Sequence, residues 1–247
     1  MEEIIIPSEY MVQEEGTSDG TQIKYFYKDK WYKVDRYGGE GEVEELTSQL
    51  LQVCGLPEKE YVSYDQILIN GEKGCVSDNF LQEGESFITF YRLYHNIYGK
   101  DLAAVTSKMD YDDAIEYVLA FVKKETGLDI KKYLANTLLL DSIILNGDRH
   151  FNNLGVVFDG VKYHEAPIFD NGKSLFVGNG KYNPDKSIAD NKKNAFAKAF
   201  GGSFKLNESY LKGYQTFEAD KEKIIDELSL SEGVDGPRTR LYRLLCD

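Results

Sequence analysis

The segments Asp148-Arg149-His150-Phe151-Asn152-Asn153 and Ile168-Phe169-Asp170-Asn171-Gly172 hold the residues whose types and spacing could do chemistry. Each brings oxygen-bearing side chains onto a short loop, and an apparent β-hairpin joins them. Transfer of a phosphoryl group from ATP needs such a set. One carboxylate orients or deprotonates the acceptor hydroxyl, while an amide oxygen and a second carboxylate hold magnesium against the phosphates. Asp148 and Asn153 stand five residues apart, the Asp-to-Asn spacing of a phosphotransfer loop. Asp170 opens an Asp-Asn-Gly turn.

Each residue also has a plainer meaning. Asp148 is read as catalytic, although a loop aspartate also caps nearby backbone N–H groups. Asn153 is read as a magnesium ligand from its spacing. Asn152 is the alternative, and the pair before Leu154-Gly155 also composes a turn. Asp170 is the second metal ligand. Asp-Asn-Gly alone would suit a hairpin turn, and the partner loop is what favours a hard oxygen ligand bridging magnesium to ATP. His150 is either a donor to the transferred phosphate or a loop histidine orienting Asp148 or Asp170. Arg149 is read as a structural ion-pair partner.

A phosphate-binding set also needs a clamping lysine paired with a helix glutamate. Lys33, on a strand before an acidic helix, is the candidate, with Lys24, Lys28 and Lys30 as rivals. Glu40, Glu42, Glu44 and Glu45 crowd the helix start, where negative charge also suits the macrodipole. Glu44 is chosen as the partner. Gly16, Thr17, Ser18 and Gly20 form a turn that could cover the phosphates, without the spacing of a Walker loop.

The elements that must position these residues follow from pattern. Aromatic, strand-prone runs at 23–27 and 30–34 hinge at 28–30. Val43, Leu46, Leu50 and Val53 form a helix stripe ending near Gly55-Leu56-Pro57. Strands are expected over 61–69 and 74–77, helices over 111–124 and 129–146, and strands over 154–158, 161–164 and 167–169. The second of those helices is apolar nearly all round late on and is read as a core helix. Residues 195–247 read as mostly helical. Strands with one helix come first and helices second. The fold class is therefore α+β and bilobal, with residues 1–98 a small β-rich lobe and 99–247 a larger helical lobe.

The bulk numbers narrow the partners. The chain has 247 residues, 42% hydrophobic, and a net charge of −13. So acidic a surface repels nucleic acid and anionic membranes. No apolar run approaches the ~20 residues of a membrane span, and the acidic N-terminus does not read as a signal peptide. Cys54, Cys75 and Cys246 are an odd, scattered set, which suggests reduced thiols in a cytoplasmic setting.

The Asp148–Asn153 signature resembles that of the HipA-like atypical serine/threonine kinases, which share a bilobal kinase fold with phosphoinositide kinases. Gly74-Cys75-Val76-Ser77-Asp78-Asn79-Phe80 with Gly84-Glu85-Ser86 also resembles that family, and so does Glu44-Glu45-Leu46-Thr47-Ser48-Gln49-Leu50-Leu51. The resemblance implies that backbone groups around Val76 and Phe80 lie near adenine and that 44–51 is the family's regulatory helix. It also implies a protein substrate, autophosphorylation, and a neutralising or regulatory protein partner. The chain departs from ordinary protein kinases: Asn146-Gly147 precede Asp148 where His-Arg would stand, and no Ala-Pro-Glu follows Asp170. A small-molecule or phosphoinositide kinase is the second reading, and an ATP-binding module without transfer the third. Ser174, Ser187 and Ser203 are the serines available near the second loop.

Overall fold

The computed structural model describes residues 1–12, 22–201, 204 and 211–247. The chain divides into two compact units. One comprises Met1–Phe80, Asn171–Lys192 and Ala219–Asp247; the other comprises Leu81–Asp170 and Lys193–Glu218. The divide at 98/99 expected from element order partitions the sequence, whereas these units partition the packing.

The first unit is built on a five-stranded sheet. Its strands are β1 (Glu2–Ile4), β2 (Lys24–Tyr27), β3 (Lys30–Val34), β4 (Asp65–Ile69) and β5 (Glu72–Asp78), in the order β1-β4-β5-β3-β2. Only the β1–β4 pair is parallel. Lys28 and Asp29 both take positive φ between β2 and β3, as do Asn70 and Gly71 between β4 and β5. Two successive left-handed residues give the turn whose twist matches paired strands. One face of the sheet packs Tyr25, Tyr32, Val34, Ile67 and Ile69 into a core.

Helix α1 (Glu40–Val53) buries Val43, Leu46 and Leu50 of the expected stripe and also Leu51, while Val53 is only half-buried. Each such side chain withdrawn from water contributes roughly 1.5–3 kcal/mol before entropy is counted. The helix starts at Gly39 in the left-handed region, with Glu40 and Glu42 in its first turn, where the macrodipole favours them. It stops where Gly55, at φ 78°, turns the chain away. Glycine also brings helix and sheet together. A Cβ on Gly41 would lie 2.6 Å from the Gly74 carbonyl oxygen, and one on Gly74 would lie 2.2 Å from the Lys33 carbonyl oxygen. Short α6 (Ile188–Lys192), α7 (Lys221–Glu227) and α8 (Pro237–Cys246) complete this unit.

The second unit sets β6 (Ser86–Thr89), β7 (Gly155–Phe158) and β8 (Tyr163–Glu165) as an antiparallel sheet in that order. Its helices are α2 (Phe90–Tyr98), α3 (Leu102–Thr106), α4 (Tyr111–Thr126) and α5 (Lys131–Ile144). Helix α5 is buried around most of its circumference, including the polar Asn136, Thr137 and Asp141. It ends at Leu145, a non-glycine residue at φ 53°. Such strain persists only where the surroundings over-determine it, and here it launches the loop that carries Asp148.

The strand expected over 167–169 is not formed. Ile168 makes a single bridge, and the backbone on either side is irregular. Among the described residues of 195–247, α7 and α8 are helical and turns separate them.

Candidate active site

Within the first unit, Lys33 is a buried cation on β3. Its Nζ lies 2.9 Å from Glu44 Oε1 and 3.3 Å from the Tyr64 hydroxyl, and it stacks over the Tyr64 ring at 4.9 Å. Glu44 is 2% exposed. Its second oxygen, Oε2, accepts the Asn171 backbone N–H at 2.9 Å. One helix carboxylate therefore ties the strand lysine to the residue that follows Asp170 in the chain. Leaving either charge alone in that environment would be strongly unfavourable.

The rival lysines and glutamates have other surroundings. Lys30 is about half exposed and pairs with Asp78. Lys28 lies over the Tyr27 ring. Glu40 Oε1 accepts the backbone N–H groups of Arg36 and Tyr37, which closes the turn before α1. Glu45 accepts from the Gln66 side chain.

Val76 lies opposite Tyr32 in the β3–β5 pairing, and Cys75 lies opposite Lys33. Side chains alternate along a strand, so Val76 packs on the aromatic core while Cys75 and Ser77 share the Lys33 face. Phe80 is half-buried and is the last residue of the unit's first segment. Gly16, Thr17, Ser18 and Gly20 lie outside the described residues.

Within the second unit, Arg149 anchors the loop. It is 1% exposed. Its Nε and NH2 groups bond to the Asp141 carboxylate of α5 at 3.0–3.2 Å, and NH1 donates to the Phe169 carbonyl at 2.6 Å. Burial pushes the Asp141 carboxyl up, and the guanidinium opposes it. Arg149 is thus the structural partner expected. It joins the Asp148 loop to the backbone just before Asp170.

That anchoring sorts the remaining side chains. Asn153 is buried and its Nδ2 donates to the Asp148 carbonyl at 3.4 Å, whereas Asn152 is exposed. The Asp148 backbone N–H donates to Asn146 Oδ1 at 3.0 Å. The Asp148 carboxylate, about a quarter exposed, forms an ion pair with Lys198 at 2.7 Å. Asp170 sits at φ 62°, a conformation aspartate tolerates better than most residues. His150 Nδ1 is buried and has no hydrogen-bond partner. Burial lowers the imidazole pKa, against the pull of Asp148, so the ring is neutral near pH 7.

Three residues that matter here carry no sequence signal strong enough to single them out. Asp141 lies within an apolar helix, Tyr64 in an irregular stretch, and Lys198 fifty positions beyond its partner Asp148. Of the serines near the second loop, Ser174 is fully buried, so it is not open to modification. Ser187 is exposed and caps α6 through Asp190, and Ser203 lies outside the described residues.

Among the described residues no group of three or more His, Cys, Asp or Glu is placed to hold a metal on protein ligands alone. Magnesium bound together with phosphates needs only one or two protein carboxylates. Asp170 is one such carboxylate, and the Asn153 amide carries a further hard oxygen.

The fold is a kinase-like one. It is similar to the Helicobacter pylori proinflammatory kinase CtkA, with a TM-score of 0.62 and 15% sequence identity over 91% of this chain and 88% of that one. It is also similar to Shewanella oneidensis MR-1 HipA, solved with HipB and operator DNA, with a TM-score of 0.53 and 12% identity over 97% of this chain and 67% of that one. No protein-family model and no curated protein matches the sequence. No helix among the described residues is long and apolar enough to cross a membrane.

Proposed function

We propose that this chain is a protein kinase that moves the γ-phosphate of ATP to a serine or threonine hydroxyl. The observation that carries the reading is Glu44, whose two oxygens hold the Lys33 ammonium and the Asn171 N–H. A buried lysine so oriented is a preformed clamp for phosphate oxygens. Asn153 and Asp170 would hold magnesium, which when bound neutralises charge developing on the phosphates. Asp148 accepts the hydrogen bond of the incoming hydroxyl and takes its proton. Neutral His150 can donate one hydrogen bond to a phosphate oxygen. Val76–Phe80 would contribute backbone contacts to adenine. A protein acceptor suits a net charge of −13 better than nucleic acid or an anionic lipid does, and basic segments of a substrate or regulatory protein would be attracted.

The test is label transfer from γ-labelled ATP with magnesium, followed by acid hydrolysis and identification of the labelled residues. The expected result is label on serine or threonine, lowered about 10²–10⁴-fold by Asp148→Asn. Label found only in a lipid or small molecule would move the acceptor class. No transfer to any acceptor would overturn the proposal.

A further inference from the structure

We propose that Lys198 is a further catalytic residue of this transfer, donating from its Asp148-bound ammonium to the phosphoryl group in flight. The inference rests on the kinase reading above. Lys198 Nζ lies 2.7 Å from Asp148 Oδ1, and its side chain is about half exposed. An exposed ion pair contributes little to stability, so stability alone does not account for the placement. The segment carrying it is built onto the Asp148 loop. A Cβ on Gly147 would come within 3.3 Å of the Phe196 carbonyl oxygen. The Phe200 ring packs edge-on against Phe151 at 5.4 Å and Tyr111 at 6.4 Å. Phe200 itself is held at φ 61°, a strained conformation for an aromatic residue, of the kind retained near functional sites.

The geometry fixes what the ammonium can do. A hydroxyl oxygen bonded to Asp148 and an Nζ bonded to the same carboxylate are near neighbours. Lys198 has three N–H donors, so it can keep one on Asp148 and offer another to an oxygen of the group arriving at that hydroxyl. In the transfer, the bond from the γ-phosphorus to the β,γ-bridging oxygen breaks and a bond to the acceptor oxygen forms. The hydroxyl proton passes to Asp148, and the bridging oxygen leaves on ADP. Lys198 exchanges no proton. It places positive charge where negative charge is carried across, and it keeps the Asp148 carboxylate turned toward the acceptor. Sequence position does not announce this role, since Lys192 and Lys193 share the neighbourhood, but Lys192 is engaged with Asp247.

The decisive comparison is wild type, Lys198→Gln and Lys198→Arg in the full chain, with magnesium-ATP and casein as the acceptor. Single-turnover transfer to casein and to the chain itself is measured, together with ATP affinity and thermal midpoint. Lys198→Gln is expected to slow transfer about 10²–10³-fold, the size of losing one transition-state donor. ATP affinity should hold within about threefold, because the interaction forms in the transition state. Lys198→Arg should recover most of the rate. If wild type transfers label and Lys198→Gln matches it, the assignment to Lys198 is overturned while the kinase reading stands. A parallel fall in rate, affinity and midpoint, without rescue by arginine, also overturns it, because that is the signature of a structural residue. An inactive wild type overturns both.

Discussion

Arg149 and Asp141 show at the scale of single residues how the chain spends buried charge. Neither side chain is more than 2% exposed, and three guanidinium bonds to the carboxylate plus one to the Phe169 carbonyl satisfy the pair. Removing one partner strands the other without water. Arg149→Met is therefore expected to cost about 3–5 kcal/mol of unfolding free energy, measured by chemical denaturation. Asp141→Leu combined with Arg149→Met should be less damaging than Arg149→Met alone. A loss below ~1 kcal/mol for the single variant would show that the pair is not the anchor described. At this scale the pairing of Lys33 with Glu44 and the ion-pair role of Arg149 were legible from residue type and spacing. That Asn153 is buried and Asn152 exposed is something a pair of identical neighbours cannot reveal. Lys198 and Asp141 were not legible, because the fold alone brings each to its partner.

Among the elements, α1 carries the most. Glu44 can reach Lys33 only because α1 lies close on the sheet, and that approach depends on two positions without a Cβ, Gly41 and Gly74. Gly41→Ala improves helix propensity by ~1 kcal/mol, yet its methyl would meet the Gly74 carbonyl at 2.6 Å. The expected net result is a destabilisation of about 1–3 kcal/mol from overpacking. A weaker grip on ATP should accompany it as α1 lifts from Lys33. Denaturation and nucleotide titration of the same variant check both parts, and a stabilised protein with unchanged ATP binding would contradict them. The stripe of α1 and the all-round burial of α5 were legible from period alone. Helices α2 and α3 and strand β6 were harder to see. The apolar positions of α2 are interleaved with tyrosine, histidine and arginine, α3 is only five residues long, and β6 is paired to a strand far along the chain. Asn70-Gly71 does carry a hairpin signal in the sequence, and the structure uses it. The strand expected at 167–169 fails because its backbone bonds go elsewhere, with the Phe169 carbonyl taken by Arg149.

For the whole molecule, the packing is not that of two consecutive halves. Each compact unit gathers separated stretches of chain, and one boundary falls between Asp170 and Asn171. The kinase-like fold was legible through the loops that carry the site. The return of residues 171–192 and 219–247 to the first unit was not, because long-range packing leaves no local period. The proposed function requires that Lys33 and Asp170 serve one magnesium-bound nucleotide. Titration calorimetry of ATP with and without magnesium tests it on wild type, Lys33→Met, Asp170→Asn and the double variant. Asparagine is the choice at position 170 because it tolerates the positive φ while removing the charge. Magnesium-dependent binding is expected in the wild type, weakened by each change, with the double variant losing less than the sum by at least ~1 kcal/mol. Binding indifferent to magnesium, or losses that simply add, would contradict the account.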